Sequence, residues 1–309
     1  MNIITRKNGH KKTKRRKEMP DLNKDAVIAA TVDCRTPANI ADNLSKTICV
    51  QKVNASNLKL IILGLLAGSY IAFGACLATM VTNDAAKYIG MGLSRVVAGA
   101  VFSLGLMFVV IAGAELFTGN NLMLMSVLDK KSPFGKMLSK WVIVYVANLI
   151  GAVFLAYLYY NTNLWKMGDN MAVGVNALKL ANFRMNLTFM EALTRGILCN
   201  WLVCLAVWMA LASRDVIGKI FSCLFPIMAF VASGFEHCVA NMYFIPMGLF
   251  LKSSGAVPAA DLDLANLTWT NFFVKNLIPV TIGNVIGGAI FVGLLYWTVY
   301  VRNTTTAVK

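Results

Sequence analysis

Six stretches of the chain, Asn57 to Thr82, Gly92 to Leu128, Trp141 to Asn161, Leu187 to Ser213, Ile217 to Leu251 and Asn271 to Val301, are apolar almost throughout. A run of about 20 such residues is long enough to cross the hydrocarbon of a bilayer as a helix. Inside hydrocarbon the backbone must satisfy its own hydrogen bonds, and a helix does so within a single segment. The chain therefore reads as an all-α integral membrane protein with six transmembrane helices. Composition agrees: 58% of the 309 residues are apolar and only 14% charged, with the charge gathered in tails and connectors. The second and fifth stretches run to roughly 35 residues, beyond the about 25 of an ordinary span, so both are predicted to be broken helices.

Lysine and arginine set the expected orientation. KKTKRRK at 11–17 and DKKSPFGK at 129–136 share one side of a six-span chain, and the positive-inside rule makes that side cytoplasmic. The expected layout is a basic, partly disordered cytoplasmic tail over 1–56, a transmembrane domain over 57–302 and a cytoplasmic C-terminal tail over 303–309. Both termini are expected inside. The basic run reads as a topology signal facing membrane lipid, with no nucleic-acid partner, and no apolar stretch after it marks a cleavable signal before Asn57. Seven cysteines show no CxxC and no Cys/His ligand spacing, so neither metal nor cofactor is expected.

The chain also repeats itself. ANLIGAVF at 147–154 in the third span and GNVIGGAIF at 283–291 in the sixth place Asn148 and Asn284 before the same small-residue pattern. Two halves of three spans must insert with opposite topology, an inverted 3+3 repeat whose over-long second and fifth segments are equivalent, and paired interruptions of this kind point to a transport pathway. The interruptions are polar. Glu115, Thr118, Gly119, Asn120 and Asn121 cluster in the second segment, and Gly234, Glu236, His237 and Asn241 in the fifth. Irregular backbone survives at membrane depth only where protein buries it or water lines it, so both breaks are expected to face the interior. Each half-helix beginning there aims free N–H groups and a positive dipole end at the pathway, which favours an anion. His237 is the only histidine outside the tail, and an ionisable group at that depth marks a pathway. Glu115 and Glu236 are expected to accept hydrogen bonds from backbone N–H groups at the breaks.

GAELFTGNN at 113–121 and GFEHCVANMYFIPMG at 234–248 resemble the two signature segments of the formate/nitrite transporter family, and NLIPVTIGNVIGG at 276–288 resembles its last span. The resemblance covers about Asn57 to Arg302. It implies an aquaporin-like fold, a homopentamer with a pore in each protomer, and passage of small monovalent anions of weak acids such as formate, nitrite and hydrosulfide. Formate leads by the wording of the motifs; nitrite or hydrosulfide is the alternative. By the same resemblance His237 is the pore-centre histidine, Thr118 lies on the break, Phe102 and Phe230 form an aromatic constriction toward the outside, and Leu106 and Leu116 form an apolar one toward the inside. Asn200 in GILCN is the matching polar pore residue. Arg184 stands where many members have lysine, and keeps a charge that attracts anions. The implied mechanism has His237, or a water beside it, hand a proton to the anion. An aquaporin would carry paired NPA motifs, which this sequence lacks. An enzyme would need a convergent nucleophile, base and orienting group, and no such set is present, so the chain reads as a non-enzyme.

Overall fold

The computed structural model describes residues 34–259 and 262–302; the KKTKRRK run and the C-terminal tail lie outside the described residues. Six helices in it are long and apolar enough to cross a membrane. In chain order the elements are α1 (37–54), α2 (Asn57–Val81), α3 (Ala85–Gly113), α4 (117–128), α5 (Phe134–Asn161), α6 (Ala172–Met185), α7 (Phe189–Ala212), α8 (Val216–Ser233), α9 (Cys238–Ser254) and α10 (Trp269–Arg302). The second apolar stretch is thus α3 and α4 separated by a break, and the fifth is α8 and α9.

The order divides into two halves with the same plan: a short helix, a span, a broken pair and a closing span. In the first half α2 packs along α5, and in the second α7 packs along α10. Several starts carry local signals. Ser56 caps α2, Asp215 caps α8, and Thr188 with Glu191 forms a reciprocal capping box at α7. Large apolar side chains such as Leu58, Phe154, Ile217 and Val299 are exposed around the outside, the arrangement of a protein whose surroundings are lipid or other protomers.

The two short helices were not separated out by the sequence reading. Part of the segment read as a tail is α1, which packs beneath the membrane domain: the Cys49 thiol is buried against the Leu122 carbonyl at 3.4 Å. Burial pushes that thiol up to about 12, so it stays protonated. At the other end α1 packs against the end of α10, which puts the first and last described helices on one face.

Candidate functional site

Both breaks are built on the same pattern, G-x-E-x-x-x-x-N: Gly113, Glu115 and Asn120 in one half, Gly234, Glu236 and Asn241 in the other. Gly113 has φ of 93° and Gly234 of 79°, the left-handed region where a Cβ is penalised. Gly119, expected to serve the first break, lies instead inside the helical turn Phe117–Asn120 without a positive φ. Gly113 is the break glycine.

The repeated asparagines hold the breaks. Asn148 on α5 accepts the Phe117 N–H at 2.9 Å and donates to the carbonyls of Gly64 at 2.8 Å and Glu115 at 3.0 Å. Asn284 on α10 accepts the Cys238 N–H at 2.9 Å and donates to the carbonyls of Gly196 at 2.8 Å and Glu236 at 3.0 Å. One carboxamide thus satisfies three backbone groups at each break, where hydrocarbon could satisfy none. This corrects two expectations. The backbone N–H groups are taken up by Asn148 and Asn284, not by Glu115 and Glu236, and the first N–H of each half-helix is occupied rather than free for an anion.

The glutamates hold cations instead. The Glu115 carboxylate accepts the Lys52 ammonium at 2.7 Å, and Asn120 Oδ1 accepts the same ammonium at 2.9 Å. In the other half Arg184 Nε donates to Asn241 Oδ1 at 3.1 Å and lies 3.9 Å from the Glu236 carboxylate, which itself accepts the Asn241 amide at 2.7 Å. Lys52 on α1 and Arg184 on α6 are therefore counterparts. Sequence reasoning found Arg184 and missed Lys52. The doubled Glu and Asn spacing was the available signal, since a glutamate and an asparagine at the same spacing from a break glycine, one pair holding a cation, call for a cation at the other.

Two cavities meet these clusters at opposite ends of α3. One, of about 280 Å³, is lined by Arg95, Phe102, Arg184, Phe230, His237 and Phe244 among others. The second, of about 390 Å³, is lined by Lys52, Lys59, Leu106, Gly113, Leu116 and Asn120 among others. Asn120 Nδ2 is buried there without a partner in the protein, a spare donor beside the Lys52 charge. Phe102 and Phe230 meet edge to face at 5.7 Å, and Leu106 and Leu116 are buried at 2% and 3% exposure. The aromatic pair thus lines one cavity and the leucines the other.

His237 borders the first of these cavities. Its Nδ1 accepts the Ala240 N–H at 3.1 Å, capping α9, and its Nε2 lies 3.0 Å from Thr118 Oγ1. A nitrogen that accepts from an amide carries no proton, so the ring proton is on Nε2 and is given to the threonine hydroxyl. Thr118 comes from α4 and His237 precedes α9, so this bond joins the two halves at their breaks. Asn200, expected to line the pore, borders neither cavity; its Nδ2 donates to the carbonyls of Thr118 at 3.3 Å and Asn284 at 2.7 Å and to Asn121 Oδ1 at 2.8 Å. It holds the break from behind.

Inverted halves whose helix breaks meet at a buried histidine, with an aromatic-lined cavity bordered by Arg184 and an aliphatic-lined one bordered by Lys52, define a membrane protein of the channel or transporter class. The chain belongs to the formate/nitrite transporter family, whose model matches residues 38–298. It is 46% identical over 282 residues to a probable formate transporter of Methanothermobacter thermautotrophicus, covering 87% of this chain and 98% of that protein. To the formate channel FocA of Escherichia coli (strain K12) it is 37% identical over 280 residues, covering 87% and 96%. Among solved structures it resembles a pentameric formate channel with formate bound, at a TM-score of 0.69 and 36% identity over 80% of this chain and 98% of that one.

Proposed function

We propose that this chain carries the anions of small weak acids, formate foremost, across the inner membrane, through a pore in each protomer of a homopentamer with both termini in the cytoplasm. The relatives named above are a probable formate transporter and a formate channel, and the solved relative is a pentameric formate channel with formate bound. The observation that carries the reading is the buried His237–Thr118 hydrogen bond, which joins the two helix breaks beside the cavity lined by Phe102 and Phe230.

The mechanism follows from what each residue can do. Arg95 beside Arg184 in one cavity and Lys59 beside Lys52 in the other give both cavities cationic side chains that attract anions. A bare carboxylate passing either neck would lose its water with nothing to replace it, at a cost of several kcal/mol. The neutral acid avoids most of that cost. Because His237 already uses Nδ1 to cap α9, becoming a cation would cost it that bond. It therefore serves as a neutral donor through Nε2, and the proton that neutralises the anion comes from bulk solution, relayed by water in the cavity so that no hydroxide is left behind. Thr118 presents its own hydroxyl beside it. The exposed apolar belt meets lipid and neighbouring protomers.

His237→Gln keeps a neutral donor and acceptor. Formate flux into vesicles is expected to fall by about five-fold, as the weakening of one hydrogen bond of about 1 kcal/mol implies, while remaining faster at acid pH. Flux that became independent of pH in this variant would make His237 the proton donor and overturn the water route. Nitrite and hydrosulfide measured alongside test the substrate: formate is expected to pass fastest.

A further inference from the structure

Phe244 has no role so far, yet it stands between the cation and the aromatic neck. It lies two helical turns past His237 on α9, so His237, Ala240, Asn241 and Phe244 fall on one face of that helix and border the same cavity. The Arg184 guanidinium carbon is 4.1 Å from the centre of its ring. Phe102 stacks on that ring as well, at 6.4 Å with planes 14° apart. Phe102 in turn meets Phe230 edge to face, and Phe230 stacks on His237 at 6.0 Å. The contacts form an unbroken series from the mouth cation to the central histidine.

Arg184 cannot swing freely. Besides its bond to Asn241, its guanidinium donates to the Leu180 carbonyl at 2.6 Å, so its plane is fixed where the Phe244 ring lies. Phe102 is held by two rings, Phe230 edge-on and Phe244 face-on. On the side away from the cavity, the Phe244 ring takes up the space into which Phe102 could turn. Removing the Phe244 ring would give Phe102 that space and widen the neck.

We infer that Phe244, set in place by the Arg184 guanidinium, is a further wall of the aromatic constriction, and that this pair determines how large a monocarboxylate passes. The inference rests on the transport reading above and adds a specificity-determining residue to it. Charge alone would act alike on formate and acetate, because both carry one negative charge. Their flux ratio therefore reports the aperture and not the attraction.

The test uses the full-length protein in proteoliposomes, with formate and acetate uptake measured side by side. In Phe244→Leu the acetate-to-formate ratio is expected to rise at least about three-fold, a modest effect for space opened in an apolar neck, with formate flux within about two-fold of the parent. Phe244→Tyr keeps a ring in place and is expected to keep the parent ratio. Arg184→Lys retains the charge but has no plane to lie on the ring, so it should raise the ratio too, and combining it with Phe244→Leu should add nothing further. Phe244→Met, closer in volume, replaces the leucine variant if that one fails to assemble. A ratio unchanged in a well-assembled Phe244→Leu or Phe244→Met protein overturns the inference while leaving formate transport standing. A parent that carries no small anion overturns the transport reading, and this inference with it.

Discussion

Asn148 and Asn284 show what a single side chain can do at a helix break. Each satisfies one N–H and two carbonyls that would otherwise be unpaired inside the membrane. Replacing Asn284 with leucine, similar in size, strands all three groups at about 1–3 kcal/mol each before relaxation. The expected outcome is a marked loss of thermal stability in detergent, with Asn148→Leu behaving alike because its partners are equivalent. An Asn284→Leu protein that melted with the parent would show that the break is held by something else. These asparagines were visible in the sequence as a repeat, but their task was not, because their hydrogen-bond partners come from another span and from the break itself. For the same reason Glu115 and Glu236 were read as backbone acceptors. Their cations sit 63 and 52 residues away along the chain, on α1 and α6.

The broken helices were legible because two apolar stretches were too long to be single spans, and polar residues marked where each one broke. The choice of glycine was half legible. Gly234 was identified, whereas Gly119 was taken for the break in place of Gly113, because a glycine inside a polar cluster looks the same in sequence whatever its φ. The difference has a consequence at the level of the element. Gly234→Ala forces a Cβ into the left-handed region at a cost of about 1–2 kcal/mol and is expected to lower the melting temperature of the protein. A Cβ on Gly119 would meet only Val207 Cγ2, at an ordinary 3.6 Å, so Gly119→Ala should leave stability unchanged or slightly raised. Equal losses in both variants would contradict this assignment. Helices α1 and α6 escaped the sequence reading for another reason: both are too short and too polar to register in a search for membrane spans. Each nevertheless delivers the cation of its half.

Across the whole molecule the two halves repeat one design with opposite insertion: a cation on a short helix, a glutamate and an asparagine to hold it, a break fixed by an asparagine, and a meeting point at His237 and Thr118. Six spans, the 3+3 repeat and the broken pairs could all be read from hydrophobic length and the repeated motif. The second cation and the aromatic series through Phe244 could not, since both depend on how the halves pack. In the proposed mechanism cationic side chains gather anions and the apolar constrictions exclude charge, so what crosses should be formate together with a proton. The deciding measurement is formate uptake into proteoliposomes with lumen pH and membrane current recorded together under an imposed voltage. The expected result is acidification of the lumen by a proton for each formate, with little current and a rate insensitive to voltage. Formate-dependent current at constant lumen pH would contradict the account and make the protein a conductor of the bare anion.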